Sequence, residues 1–310
     1  MSEKVTISHY EFLQKFPDET TARTYLEARR WPTGPICPHC NKGERVQVRK
    51  VVGYFRCLAC KEDFTVRTGT IFERSHIPLN KWLMAMYLIA TARKGISSMQ
   101  LSKELGITQK SAWFMLQRIR EACGKDPIGG GMLSGFVEAD ETYLGGREAN
   151  KHANKHSGIH GGPGAKHGVF GMRERGGMTR AVVVDQDTSG ARLRHELRVN
   201  VEAGSTICTD DARAYNRLPG FTHMSVNHSA KVYVDGMAST NGIESVWAVL
   251  KRGYYGIYHQ FTIKHMQRYV DEFTYRLNEG NCKIHTMDRI DSLIAKTNGV
   301  RITYKALIAE

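Results

Sequence analysis

The chain has 310 residues, of which 41% are hydrophobic and 24% charged, and its formal net charge is +13. This composition is typical of an ordinary soluble protein with two or three domains, and no stretch approaches the length of a membrane span. The charge predicts a polyanionic partner, and nucleic acid is favoured over a membrane because no basic amphipathic anchor stands out.

The chain opens with a predicted helical segment. Residues 9–30 carry apolar positions among charges and are interrupted at Pro17. Because proline removes a backbone donor and breaks a helix interior, we expect a short helical lead-in here that is broken at Pro17. The segment ends at the Trp31-Pro32-Thr33-Gly34-Pro35 turn.

Two Cys-x-x-Cys pairs follow the turn, Cys37 with Cys40 and Cys57 with Cys60. This spacing matches a tetrahedral zinc site, and the strand-like stretches between the pairs fit a zinc ribbon, in which two hairpin knuckles hold one Zn²⁺. Bound metal would supply much of the folding energy of such a domain.

A redox or disulfide cluster is the alternative explanation of these cysteines. No apolar signal peptide opens the chain, and the other three cysteines, Cys123, Cys208 and Cys282, are scattered. Structural zinc is therefore favoured.

The next segment predicts a helix-turn-helix. Asn80 is a suitable N-cap for a first helix that ends at Gly95, and within residues 98–119 a short helix ends at Gly106 and Thr108 caps another. The outward residues near the start of that last helix are predicted to face a DNA major groove, and the arginines further along it to reach phosphates. These residues are Gln109, Lys110, Trp113, Arg118 and Arg120. A helical hairpin that only packs remains the alternative.

Beyond a glycine-rich linker at residues 124–135, the pattern changes to short strands. Segments rich in β-branched or apolar residues lie at 135–144, 168–173, 179–184 and 205–209. In the first, alternation places Asp140 on one face with Glu138 and Thr142. Asp210 follows the fourth strand directly.

Residues 147–166 are rich in Gly, His and Lys and predict a loop ordered by DNA. His152, His156, His160 and the neighbouring His167 could be metal ligands, but glycines separate them. We favour a solvated basic loop.

Residues 240–253 predict an amphipathic helix. Ile243, Trp247 and Leu250 form a narrow apolar stripe, and Glu244 and Lys251 project together beside it. A capping-box-like start by Asn241 and Glu244, with Lys251 as a plain surface charge, is the alternative. Aromatic residues alternate with basic ones such as Arg252 beyond this helix, a mixture that could contact unpaired bases, although core packing explains at least half of it. Residues 266–278 predict a further amphipathic helix.

Several motifs together resemble a known family. They are Phe16-Pro17, Arg30 to Cys40, Asp140-Glu-Thr-Tyr-Leu-Gly-Gly146, Thr209-Asp210 with Tyr215, and Asn241-Gly-Ile-Glu-Ser-Val-Trp247 to Lys251-Arg-Gly253. The chain resembles bacterial insertion-sequence transposases that have an N-terminal zinc ribbon, a helix-turn-helix and an RNase H-like DDE catalytic domain. The resemblance implies a multi-domain protein with domains at 1–72 (helix and ribbon), 73–128 (helix-turn-helix), 129–285 (α/β RNase H-like, retroviral-integrase-like) and 286–310 (tail).

The resemblance also implies the catalytic residues. Asp140, Asp210 and Glu244 would be the acids that hold two Mg²⁺ or Mn²⁺ ions, and Lys251 the basic residue that follows them. Some relatives use asparagine as the third member, so Asn241 remains open beside Glu244, although a carboxylate binds a hard cation better than an amide does. Asp211 is a second ambiguity beside Asp210.

The implied activity is Mg²⁺-dependent cleavage and strand transfer at the terminal inverted repeats of an insertion sequence. The implied partners are double-stranded DNA, comprising those repeats and the target, and a second copy of the chain in a homodimer or higher oligomer; no membrane is involved. The implied location is the bacterial cytoplasm, at the nucleoid. A catalytically silent DNA-binding regulator and a stand-alone nuclease of the same fold are the alternatives.

Overall fold

The computed structural model describes residues 5–125, 131–145, 166–210, 215, 218–226, 234–235, 238–280 and 283–309. The chain divides into two compact units. The first unites Met1–Lys125 with Glu279–Glu310, and the second is Asp126–Asn278.

The first unit begins with two helices, one on each side of the predicted break at Pro17. They are α1 (His9–Lys15) and α2 (Glu19–Arg30), and each is capped by a side chain that accepts a backbone N–H, Ser8 in a capping box and Asp18. The three-stranded ribbon sheet follows in the order β1 (Val46–Val48), β2 (Phe55–Cys57), β3 (Asp63–Phe64), all antiparallel.

Three further helices complete the N-terminal part, α3 (Leu79–Thr91), α4 (Ser98–Leu105) and α5 (Gln109–Gly124). The predicted turn between the last two is confirmed: Gly106 adopts the left-handed conformation that glycine tolerates, and the Thr108 side chain caps α5. The prediction that Asn80 caps α3 is wrong. The cap position is Pro78, whose fixed φ already suits a helix start, and Asn80 lies within the first turn.

Helices α9 (Thr286–Lys296) and α10 (Tyr304–Ile308) also belong to the first unit. Helix α9 contacts α3, α2 and α5, and the buried Arg289 donates a hydrogen bond to the carbonyl of Ala90 at the end of α3 over 3.0 Å. The sequence gives no indication of this return, because the contact joins distant parts of the chain.

The second unit contains a mixed five-stranded sheet. Its strands are β4 (Phe136–Leu144), β5 (His167–Glu174), β6 (Thr179–Asp185), β7 (Thr206–Asp210) and β8 (Thr222–Val226). Their spatial order is β6-β5-β4-β7-β8, with β4, β5 and β6 antiparallel and β4, β7 and β8 parallel. Strand β4, which carries Asp140, is therefore central. Two further strands of two residues each, β9 (Val234–Asp235) and β10 (Ala238–Ser239), pair with each other outside this sheet.

Each face of the sheet has its own apolar core. Val137 and Ala139 pack with helix α6 (Gly190–Asn200) on one face. On the other face, Leu144 packs with α7 (Asn241–Gly253) and α8 (Ile263–Glu279). The predicted alternation is thus confirmed, and the face of Asp140 is the one that α7 covers.

The predicted apolar stripe of α7 is buried as well, and a π-helical turn, Tyr254–Tyr258, follows that helix. None of the helices in the described residues combines the length and the hydrophobicity that a transmembrane span requires. The predicted sequence of parts is confirmed: a ribbon, a helical region, and then an α/β domain with a mixed sheet.

Candidate active site and metal centre

The candidate catalytic acids share one cavity of about 440 Å³ in the second unit. Asp140 enters it from the middle of β4, Asp210 from the end of β7, and Glu244 from the first turn of α7. Lys251, two turns after Glu244, lines the same cavity. Residues far apart in the sequence therefore meet because the parallel pair β4–β7 and the helix above β4 converge here.

Asp140 is hydrogen-bonded to the helix that covers its strand. Its Oδ2 accepts a hydrogen bond from the indole Nε1 of Trp247 over 2.9 Å. The pKa of Asp140 is raised to about 6, chiefly by burial and also by the charges of Asp210 and Glu244, while the hydrogen bonds from the backbone N–H of Glu141 and from Trp247 oppose the rise. Negative charge is thus concentrated at this point of the cavity.

Glu141, the next residue, also lines the cavity and was not singled out by the sequence. The buried hydroxyl of Tyr215 donates to its Oε2 over 2.5 Å. Burial raises the pKa of Glu141 to about 7, although the hydrogen bond from Tyr215 opposes the rise. The Tyr215 in the Asp210 motif therefore has a structural explanation, since it binds the carboxylate beside Asp140.

The geometry distinguishes the two candidates for the third position. Glu244 lines the cavity and accepts a hydrogen bond from the Thr240 hydroxyl over 3.1 Å. Asn241 is exposed and does not line it. The capping-box alternative is wrong, because the N-cap is Thr240 and no side-chain capping bond is made there. Glu244 is therefore the stronger candidate.

The remaining candidates from the sequence are Asp211 and the histidines, and most of them lie outside the described residues. Asp210 ends β7 in register with Val226, whereas Asp211 lies outside the described residues. His152, His156 and His160 also lie outside them. His167 is in β5, where its Nδ1 lies 2.5 Å from Oδ1 of Asp185.

The four predicted zinc ligands lie together. The Sγ atoms of Cys37, Cys40, Cys57 and Cys60 are within 4.8 Å of one another, and the Cys37–Cys60 and Cys40–Cys57 sulfur pairs are each 3.6 Å apart. Tetrahedral zinc with Zn–S bonds of about 2.3 Å requires sulfurs about 3.8 Å apart, so the residues fit the ion. The backbone N–H of Cys60, with that of Ala59, lowers the pKa of Cys57 to about 6, which favours the thiolate that binds metal.

Among the described residues, these cysteines are the one group of metal-ligating side chains whose atoms converge to this extent. The three acids share a cavity, but their oxygens are spread around it. They could hold ions at separate positions rather than one ion at a common centre.

The predicted DNA-contacting residues of α5 divide into two sets. Gln109 and Lys110 are exposed and Trp113 is half-buried. Arg118 and Arg120 are 5% and 1% exposed, so the prediction that they reach phosphates is wrong. Arg118 instead donates to the carbonyl of Glu73 over 2.6 Å.

The reason for this error is visible on the helix. From Met115 onward, α5 is covered around its circumference, and a helical wheel of α5 alone does not show that cover. In the second unit, the remaining predicted contact, Arg252, is exposed near the end of α7.

Comparison with known proteins gives matches to both parts of the chain. A family model described as the ISXO2-like transposase domain matches residues 132–278, and one described as the transposase zinc-ribbon domain matches residues 17–63. The uncharacterized protein in transposable element ISH50 of Halobacterium salinarum is 30% identical over 253 aligned residues, and the match covers 77% of this chain and 84% of that protein. The chain belongs to the ISXO2-like transposase family.

Solved structures give weaker likenesses to this transposase. A chain of the Mos1 strand transfer complex has a TM-score of 0.29 and 10% identity, covering 65% of the transposase and 71% of the Mos1 chain. A chain of the simian T-cell lymphotropic virus intasome in complex with PP2A regulatory subunit B56 gamma has a TM-score of 0.29 and 14% identity, covering 63% and 65%. Both TM-scores are low. Membership of the family rests instead on the sequence matches to the transposase and zinc-ribbon domains and to the ISH50 protein.

One buried acid of the transposase was placed on the right face by sequence but given no role. Glu138, 4% exposed in β4, accepts a hydrogen bond from the backbone N–H of Ile243 in α7 over 2.9 Å. The sequence signal for such a role was a glutamate two residues before Asp140 on the same face of the strand, because a carboxylate that is buried there requires a partner.

Proposed function

We propose that this transposase binds the terminal inverted repeats of an insertion sequence and cleaves and joins DNA with two Mg²⁺ or Mn²⁺ ions. Asp140, Asp210 and Glu244 would hold the ions. The observation that carries the proposal is the shared cavity, which is lined by three acids from separate elements and by the basic Lys251.

The chemistry of the cavity suits such ions. Carboxylate oxygens are the ligands that Mg²⁺ prefers, and burial together with the charges of Asp210 and Glu244 raises the pKa of Asp140, an effect that a divalent cation in the cavity would offset. Acids from three elements around one cavity could hold more than one such ion.

When bound, the two ions would activate the attacking oxygen and stabilise the leaving oxygen of an in-line phosphodiester displacement. Asp140, central and oriented by Trp247, is the residue suited to contact both positions. Glu244 and Asp210 would each complete one side. The Lys251 ammonium would contact the DNA phosphate next to the scissile bond as a point charge.

DNA recognition is proposed for the other unit. Gln109, Lys110 and Trp113 at the start of α5 are accessible for the major groove, and the zinc ribbon would add contacts to the repeat. The net charge of +13 supports a polyanionic partner. Because transposition joins two ends, a homodimer or higher oligomer on DNA is the proposed working form, acting in the cytoplasm where the DNA lies.

The test uses the full chain, loaded with zinc, and duplex DNA carrying the flanks of its own gene, with Mg²⁺ or with chelator. Nicks and joined products are mapped for the wild type, Glu244→Gln and Asn241→Ala. We expect metal-dependent cutting at one flank position, lost by about a hundredfold or more in Glu244→Gln, which corresponds to about 2.7 kcal/mol of transition-state stabilisation. Asn241→Ala should cut as the wild type does.

Two other results would change the proposal. Cutting retained in Glu244→Gln but lost in Asn241→Ala would transfer the third role to the amide. Binding of DNA by the wild type with no cutting under any metal would favour a DNA-binding regulator without catalysis.

A further inference from the structure

The N-cap residue of helix α7, Thr240, makes no side-chain capping bond. The Ser239 hydroxyl accepts the N–H of Asn241 over 3.3 Å, which serves one N–H of the first turn. The first N–H groups of a helix have no partner within the helix and need an acceptor from elsewhere, and the positive end of the helix dipole favours a negative one. In this protein that end carries Glu244, the candidate third catalytic acid.

The acceptor for the N–H of Ile243 comes from the central strand. Glu138 Oε2 accepts the backbone N–H of Ile243 over 2.9 Å, and its Oε1 lies 3.4 Å from the guanidinium of Arg175. We call this contact, the Glu138 carboxylate on the Ile243 N–H, the Glu138 cap. A neighbouring arginine, Arg173, donates to the carbonyl of Gly242 over 2.8 Å and ties the same turn to β5.

Gly242 makes the approach possible. A Cβ at this position would lie 2.5 Å from Oε2 of Glu138, closer than atoms can pack. The glycine in the Asn-Gly-Ile-Glu motif therefore has a physical reason, because a side chain there would push the strand carboxylate away from the helix.

The Glu138 cap joins two residues that lie close in sequence to candidate metal ligands. Glu138 lies two residues before Asp140 on the same face of β4, and Ile243 directly precedes Glu244. One turn further along α7, the Trp247 indole contacts Asp140 itself. The helix is thus held to the strand at two points, one on each side of the Glu244 position.

We propose that Glu138 is a positioning residue that sets the separation of Asp140 and Glu244 through its contact with the Ile243 N–H. This role rests on the proposed metal-dependent function of the cavity. Glu138 acts through α7 and contacts neither ion nor DNA. The hydrogen bond, rather than the negative charge, is the part that matters for the spacing.

The experiment compares variants that separate the two contributions. Glu138→Gln keeps the length and an oxygen acceptor but loses the charge, whereas Glu138→Asp keeps the charge but is one methylene too short to reach. Glu138→Ala removes both, and Gly242→Ala disturbs the contact from the helix side. Glu202→Ala, an exposed acid of the same unit, is the matched control.

Mn²⁺ binding to the zinc-loaded full chain is measured by calorimetry without DNA, together with thermal unfolding. We expect the half-saturating Mn²⁺ concentration to rise about tenfold or more in the Ala and Asp variants and in Gly242→Ala, as for outer contacts of metal sites generally. Glu138→Gln should stay within about threefold of the wild type by the same reasoning. Glu202→Ala should be unchanged.

Three outcomes would overturn the inference. If Glu138→Asp binds Mn²⁺ as the wild type does and Glu138→Gln does not, the negative charge, rather than the hydrogen bond, would determine the affinity. Variants that unfold at lower temperature yet bind Mn²⁺ as the wild type does would reduce Glu138 to a structural residue. Equal affinity in all variants would do the same, and if Glu138→Ala does not fold, the Gln and Asp variants decide.

Because this measurement needs no DNA, it is separate from the proposed function. Wild-type protein that binds Mn²⁺ but never cuts DNA would contradict the transposition chemistry and leave the positioning result standing.

Discussion

Trp247 and Asp140 are joined by a hydrogen bond of 2.9 Å from the indole Nε1 to Oδ2. Gly171, which pairs with Asp140 across β4 and β5, makes room for the ring, since a Cβ there would lie 2.4 Å from the indole Cη2. A tryptophan that the helical pattern identifies as core is therefore also the residue that orients the central acid of the cavity.

Replacing Trp247 by Phe should weaken both stability and cleavage. The variant keeps most of the apolar contact but removes the donor, so the free energy of unfolding at pH 7 should fall by about 1–3 kcal/mol. Metal-dependent cleavage should fall about tenfold or more, as for other outer contacts of metal ligands. Urea unfolding and the flank-cleavage assay measure the two effects.

A double-mutant cycle with Asp140→Ala is the control. With the acceptor gone, Trp247→Phe should cost only its packing, so the two substitutions should couple by at least about 0.5 kcal/mol. Additive effects would mean that the hydrogen bond does not contribute.

The raised pKa of Asp140 predicts a pH dependence of the metal-free protein. Burial moves this pKa from 3.8 to about 6, so between these values the folded state holds a proton that the unfolded state has lost. The stabilisation is fully present below pH 4 and disappears as the pH rises through 6, by up to roughly 3 kcal/mol.

Unfolding of the wild type and of Asp140→Asn, followed in chelator from pH 4 to pH 7, isolates this contribution. Relative to Asp140→Asn, the wild type should lose stability across the range, and added Mg²⁺ should restore it at pH 7. Parallel curves for the two proteins would show that Asp140 titrates normally.

Loss of zinc should affect the ribbon selectively. Cys57→Ala removes one of four converging sulfurs, so bound zinc should fall from one per chain to none, and amide protection should be lost across β1–β3. Strands β4–β7 should keep their protection. Zinc analysis and hydrogen exchange report these results.

Cys123→Ala is the matched control, because this buried cysteine lies in α5 and not in the zinc cluster. It should retain one zinc. Full protection of β1–β3 in zinc-free protein would show that the ribbon folds on its own apolar contacts.

Arg118 and Lys110 should behave oppositely although both are basic residues of α5. Arg118 is buried against Glu73, so Arg118→Met should lower the free energy of unfolding by about 1–3 kcal/mol because an acceptor loses its charged donor. Lys110 is exposed, and Lys110→Ala should instead reduce the slope of log affinity against log salt by about 1.

Salt titrations of DNA binding and urea unfolding of both variants distinguish the two roles. A reduced salt slope in a fully folded Arg118→Met protein would restore this arginine as a phosphate contact.

Local patterns were sufficient to predict most elements. Helix α5, with its Thr108 cap, and the alternating β4 follow from spacing and capping chemistry that act over a few residues. The same patterns place Asp140 on a strand and Glu244 on the side of a helix. Their catalytic roles, and the expectation that they lie together, came from the family resemblance.

What the sequence could not predict depends on contacts between distant residues. The Glu138 cap joins positions 105 residues apart, so α7 receives its N-terminal acceptor from a strand that no local capping rule includes. Arg118 was misplaced for a related reason, because the partner that buries it, the carbonyl of Glu73, comes from another segment. A charged residue on a helical wheel is assumed exposed until such a partner is known.

The return of α9 to the first unit has a consequence for the order in which the protein is made. Ribosomes finish residues 126–278 before they make α9, so the sheet that carries Asp140 has its whole sequence available while α3 still lacks the Arg289 bond at its end. The unit proposed to cut DNA therefore has its whole sequence first. The unit proposed to select DNA receives its last helices only at the end of synthesis.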